Sequence, residues 1–259
     1  MIAVRHIVNI FLDWDRDSLI LSPEWIEQRF RLFQATTLKS LLAQKWQDFD
    51  IWVYCGLRNR AMTEAFAWHP RVTVVYDKGR TGLAALADQG VDFVALTRLD
   101  SDDLFHDRAM REVAQATPGA LRRNADRSTL IFRKNLQWDR NNEIIGFHNR
   151  VSPPFYTHVF PQRVFSRQAK FEALHFTTHG KSGAGNASAI ELPAGRVCVM
   201  KHRQNISDIR RNRHFQIYTP AYIAQRFADG HLLAVDPVVI RRTMKSFGVT
   251  DQDYQEFDT

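Results

Sequence analysis

An α/β fold, with a mostly parallel sheet flanked by helices, antiparallel additions and a helical C-terminal extension, is predicted by the order of patterns along this 259-residue chain. Three observations carry the prediction. Short β-branched or aromatic runs at residues 3–12, 49–54, 72–76 and 91–100 alternate with helix-period segments, as successive strand-helix-strand units with right-handed crossovers require. Beyond residue 117 that alternation gives way to short strands and polar turns. Past residue 207 two helical segments stand in a polar, basic stretch.

The first strand, residues 3–12, leads into the acidic turn Asp13-Trp14-Asp15-Arg16-Asp17. Ser22-Pro23-Glu24 opens a helix: Ser22 caps it, Pro23 has the φ of a first turn, and Glu24 meets the positive end of the dipole. That helix is expected to run to about residue 44, with Trp25, Ile26, the Arg29 stem, Phe30, Phe33, Thr37, Leu38, Leu41 and Leu42 on one broad face. Residues 59–68 and 81–89 read as further helices. A helix over residues 104–115 follows the fourth strand and stops at Thr117-Pro118-Gly119. Residues 129–132 and 136–138, with a polar turn at 139–143, read as antiparallel strands and hairpins. Ser152-Pro153-Pro154 is extended or turned, because proline excludes helix from the residue before it. The loop Gly180-Lys181-Ser182-Gly183-Ala184-Gly185 reads either as a lid or as an ordinary connection. Residues 196–200 form a last core strand, and 220–228 and 237–247 two helices. The chain is thus divided into residues 1–207, the core domain, and 208–259, a basic helical extension.

A composition of 44% hydrophobic and 12% aromatic residues excludes a disordered or fibrous chain. No apolar run approaches the ~18 residues of a membrane span, and no signal peptide is apparent, so a soluble, cytoplasmic protein is expected. Cys55 and Cys198 form neither a CxxC pair nor a disulfide framework, and read as core thiols. The net charge of +7 suits anionic partners. Much of it falls late, in Lys201-His202-Arg203, Arg210-Arg211-Asn212-Arg213-His214, and Arg241-Arg242 with Lys245. Such clusters read equally as a solvated cationic face.

The stretch richest in chemistry is Arg98-Leu99-Asp100-Ser101-Asp102-Asp103. Its acids emerge at the carboxyl end of an apolar strand, where open α/β sheets bind ligands. Like charges this close repel unless a cation is shared, and hard divalent ions prefer oxygen donors, so a Mn2+ or Mg2+ site is one reading. The other is that Asp102 or Asp103 caps the helix expected to follow.

Arg29-Phe30-Arg31-Leu32-Phe33, Thr37-Leu38-Lys39-Ser40-Leu41-Leu42-Ala43-Gln44 and Phe49-Asp50-Ile51-Trp52-Val53 together resemble the opening of GT-A glycosyltransferases. Gly82-Leu83-Ala84, Gly90-Val91-Asp92-Phe93-Val94 and Leu99-Asp100-Ser101-Asp102-Asp103 resemble the donor-site unit of that fold. Within it the chain is most similar to a bacterial rhamnosyltransferase family, over roughly residues 1–207. The resemblance implies a metal-dependent transfer of a sugar, such as rhamnose, from a UDP- or dTDP-linked donor to a saccharide or lipid-linked acceptor in bacterial surface-polysaccharide assembly. It implies Asp102 as a metal ligand and Asp100 on the metal, in its outer shell or on the ribose, with Asp103 a cap or outer-shell group. His202, after the last core strand, completes the metal shell by the same likeness. Arg98, Lys201 and Arg203 are then donor-binding residues. The end of the second strand departs from the family pattern, having Tyr54-Cys55-Gly56 where many relatives have an acid, so Tyr54 or Asp77 is left to read the base. An inverting transfer needs a general base; the place related enzymes give that base implies His179, then Glu172.

A basic nucleic-acid-binding protein without catalysis would use the cationic clusters and Trp14, Trp138, Phe155 and Tyr156 as stacking groups, but leaves three acids unexplained. A nucleotidyltransferase would need a glycine-rich loop after the first strand, where this chain has none. A phosphate loop at His179-Gly180-Lys181-Ser182 lacks its first glycine, because His175 stands there. His175 and His179 are four apart, as in a helical zinc pair, but Phe176 to Thr178 favours strand over helix, which disfavours zinc. The basic tail can also lean on an anionic membrane.

Overall fold

In the computed structural model of the protein, residues 2–13, 22–76, 90–123, 125–140, 142–149, 155–167, 189–202, 220–250 and 252–253 are described. The helix expected at 81–89, the proline run at 152–154, the glycine loop at 180–185 and the basic cluster at 210–214 lie outside them.

The strands are β1 (Val4–Asp13), β2 (Asp50–Cys55), β3 (Val72–Val75), β4 (Phe93–Asp100), β5 (Leu104–Phe105) and β6 (Ser128–Ile131). They continue as β7 (Lys134–Asp139), β8 (Ile144–Asn149), β9 (Tyr156–Pro161), β10 (Ile190–Glu191), β11 (Val197–Lys201) and β12 (Leu232–Ala234). One sheet has the order β10-β6-β9-β4-β1-β2-β3. β1 runs parallel to both β2 and β4, and β2 to β3, while β9 is antiparallel to β4 and β6. The order reverses at β1, with β2 and β3 on one side and β4 on the other. The carboxyl ends of β1 and β4 therefore flank the crevice in which such sheets bind ligands.

Ser22 Oγ accepts the Trp25 amide at 3.2 Å and starts α1 (Pro23–Phe33), as its sequence requires. A π-helical turn, Gln34–Leu38, joins α1 to α2 (Lys39–Leu42), so the expected single helix has a widened turn at its middle. There Thr36 Oγ1 donates to the Leu32 carbonyl at 2.6 Å, competing for the regular ladder. α3 (Arg60–Ala65) is shorter than expected.

Two expectations are corrected by α4 (Ala109–Leu121). Leu104 and Phe105 form β5, not a helix, because both are fully buried by pairing with Cys198 and Val197. Neither Asp102 nor Asp103 caps α4, whose N-cap position is Arg108 with no side-chain bond. The helix also continues past Pro118, because Met110, Val113, Thr117 and Ala120 bury one continuous face and packing overrides propensity.

The second sheet has the order β12-β8-β7-β11-β5. α5 (Pro220–Ala228) and α6 (Pro237–Lys245) flank it, and Ile240, Met244 and Phe247 pack in one cluster with Leu32, Leu104 and Trp138. Gly146 permits the close approach of β12: a Cβ there would meet the His231 carbonyl oxygen at 2.5 Å. Both cysteines are buried thiols outside any disulfide, as expected of core residues. Among the described residues no helix is long and apolar enough to cross a membrane.

His6 on β1 lies edge-on to Trp46 at 4.9 Å and is 7% exposed. Burial pulls its pKa down from 6.5 to about 4, and Asp48 offsets only part of this. Between those values the unfolded chain holds a proton that the folded chain lacks, so stability falls as pH drops from 6.5 through about 4. The expected loss is about 3 kcal/mol. His6→Phe should flatten urea midpoints across that window; a slope as steep as wild type would assign the acid sensitivity elsewhere.

Candidate active site

β4 delivers Asp100 to the carboxyl edge of the sheet, and the chain turns there, with the Asp103 amide donating to the Asp100 carbonyl at 3.2 Å. Asp103 Oδ1 accepts the Met200 backbone amide at 3.1 Å, which ties the acidic turn to β11. His202, two residues further on, is thereby brought to Asp102: Nε2 lies 3.1 Å from Oδ2. From the opposite side Arg29 of α1 donates from Nη1 to the same Oδ2 at 2.9 Å and from Nε to Ser101 Oγ at 3.0 Å. The other oxygen of Asp102 has no hydrogen-bond partner among the described residues.

The electrostatics separate the three acids. Burial alone would raise the pKa of Asp102, but the Arg29 guanidinium and the His202 ring hold its carboxyl well below the usual carboxylate range. Asp103 behaves oppositely. Burial, then the neighbouring Asp102 and Asp100, push its pKa well up, against the Met200 amide that favours the charged form. Asp100 is the most exposed of the three side chains and pairs with Arg98 Nη2 at 3.1 Å. The Arg98 guanidinium also lies over the Phe11 ring, 5.6 Å from its centre.

Of the residues expected at the site, Asp102, Asp103 and His202 come together, and Asp100 with Arg98 forms a neighbouring pair. Lys201 faces a cleft on the side of the second sheet. Tyr54 is buried; its hydroxyl donates to Asn9 Oδ1 at 3.2 Å, Phe11 stacks on its ring, and burial raises its pKa. Asp77, Glu172, His179 and Arg203 lie outside the described residues. Sequence reasoning missed Arg29, treating it as a stem on an apolar face. A cation set between Ile26, Phe30 and Phe33 was itself the signal, because a buried charge requires a partner.

Among the described residues no three His, Cys, Asp or Glu side chains converge on an ion. A Mg2+-type ion needs no such cage, since one or two protein donors can share it with substrate phosphates and water. The Asp102 and His202 pair, a carboxylate and an imidazole 3.1 Å apart with one carboxylate oxygen uncommitted, fits that smaller donor set.

Several known proteins are similar to the chain. Solved structures that align include TarS 1–349 of S. aureus, at 12% identity over 94% of this chain and 70% of that one with a TM-score of 0.42. A 4-diphosphocytidyl-2C-methyl-D-erythritol synthase from Anaerococcus prevotii aligns at 11% identity over 79% of this chain and 92% of its own, TM-score 0.38. Rv0371C of Mycobacterium tuberculosis, in complex with manganese, aligns at 16% identity over 81% and 97%, TM-score 0.36. No protein of curated function matches the chain. The family model described as "Putative rhamnosyl transferase" matches residues 14–177. Because that match spans more than half of the sequence and covers the turn bearing Asp100 and Asp102, the chain belongs to the rhamnosyl transferase family and is a glycosyltransferase.

Proposed function

We propose that the protein moves a sugar, rhamnose in the first instance, from a UDP- or dTDP-linked donor to a hydroxyl of a saccharide or lipid-linked acceptor in bacterial surface-polysaccharide assembly. The observation carrying this reading is the meeting of Asp102 and His202, a hundred residues apart in sequence, at the carboxyl edge of the sheet in a chain of this family. These two residues would hold Mn2+ or Mg2+, which when bound supplies Lewis-acid stabilisation to the departing diphosphate. Arg29 keeps the Asp102 carboxylate charged and oriented through its fork to Ser101 and Asp102. Asp100, at the rim beside Arg98, would accept a hydrogen bond from a ribose hydroxyl or stand on the metal or in its outer shell. His179 and, after it, Glu172 are the candidates to take the acceptor proton. Non-catalytic nucleic-acid binding would use the basic clusters but leaves the carboxylates at the crevice, which repel a phosphate backbone, without a role.

A thermal-shift panel of nucleoside diphosphates with and without Mn2+ tests the reading. Ligand at a hundred times its Kd should stabilise the folded state by about 2.7 kcal/mol. That raises Tm by roughly 5–10 °C for a chain of this size. The metal-dependent part should disappear in Asp102→Ala. No response to UDP or dTDP under either condition would refute the proposal.

A further inference from the structure

A cleft of about 260 Å3 lies where the second sheet meets α5 and the turn before β12. Asp139, His148 and Lys201 line it from β7, β8 and β11, Tyr222 and Arg226 from α5, and His231 from the turn. The Asp139 carboxylate is engaged by Asn142, which donates its backbone amide at 3.2 Å and Nδ2 at 3.1 Å. Neither the Lys201 ammonium nor the Arg226 guanidinium has a carboxylate partner among the described residues, although both are half-buried. Lys201 and Arg226 bring two positive charges into one concave site against the single negative charge of Asp139, an excess that attracts an anion, and partial desolvation strengthens that attraction. The volume falls below the roughly 300–1,000 Å3 of pockets for larger ligands. It therefore suits one sugar unit and not a whole nucleotide-sugar, with Tyr222 offering a ring to the sugar's C–H face.

Position links the cleft to the acidic turn. Lys201 lines the cleft and the next residue, His202, holds Asp102, and consecutive Cα atoms are only about 3.8 Å apart. We propose that the cleft is an acceptor subsite for a single sugar unit carrying an oxyanion, a carboxylate or a phosphate, held by Lys201 and Arg226. Its role as acceptor subsite rests on the reading of the acidic turn as the transfer site.

Calorimetric titration of the full chain with glucuronate, glucose 6-phosphate and glucose tests this, with dTDP plus Mn2+ titrated separately. At least one anionic sugar should bind saturably and about tenfold or more tighter than glucose, and the tighter of the two tells carboxylate from phosphate. Arg226→Ala should weaken that binding about tenfold or more, because it removes a charge-assisted hydrogen bond. Melting temperature and the response to dTDP should stay at wild-type values. Equal affinity for glucose, absence of saturable binding, indifference to Arg226→Ala, or competition by dTDP for the same site would each overturn the proposal. Loss of the dTDP response in wild type with anionic-sugar binding intact would instead refute the donor reading and leave the anionic-sugar site standing.

Discussion

Replacing Arg29 with methionine should lower folding stability by about 3–5 kcal/mol, the cost of removing one partner from a buried ion pair. The side chains of Arg29 and Asp102 are only 8% and 13% exposed, so water cannot replace the lost guanidinium. The substitution keeps an unbranched apolar stem while removing the charged head, which also lies over the Trp25 ring at 5.8 Å. In melting temperature the drop is roughly 6–20 °C for a chain of this length. Arg29→Lys should recover only part of it, since an ammonium cannot reach Ser101 and Asp102 together in a planar fork. A methionine variant melting within about 2 °C of wild type would mean that Asp102 is compensated in some other way.

Asp102→Asn is expected to have the largest effect on turnover. The amide preserves the shape of the side chain and an oxygen for Arg29, but removes the negative charge to which His202 and a divalent ion would answer. A fall in kcat of roughly 10²–10³-fold is the usual consequence of deleting one preorganised electrostatic group from an active site. Release of nucleoside diphosphate from dTDP-rhamnose, with circular dichroism showing a folded chain, measures it. Turnover within twofold of wild type would remove Asp102 from the chemistry.

The parallel half of the sheet was legible because its inner strands are short apolar runs buried on both faces, as in Ile51 to Cys55 and Val94 to Leu96. The start of α1 was legible for a local reason, the Ser22 cap. Pro118 misled because its cost is local whereas its compensation, the buried face of α4, depends on contacts with the sheet. Leu104 and Phe105 misled likewise: two apolar residues have no period, and their state is set by β11, more than ninety residues away. At the site, the resemblance singled out Asp102 and His202, and spacing placed each after a strand. Arg29 stayed hidden because an arginine on an apolar helix face reads as a snorkelling stem until the acid opposite it is known.

The Asp103 grip on the Met200 amide makes strand registry a determinant of ligand geometry. Along an extended chain a slip of one residue turns every side chain to the other face. A slip of β11 against β7 would therefore swing the imidazole at 202 away from the acidic turn and carry Lys201 out of its cleft in the same movement. Hydrogen-bond pairing in the second sheet thus acts as a vernier, setting the spacing between the acidic turn and the cleft through the backbone.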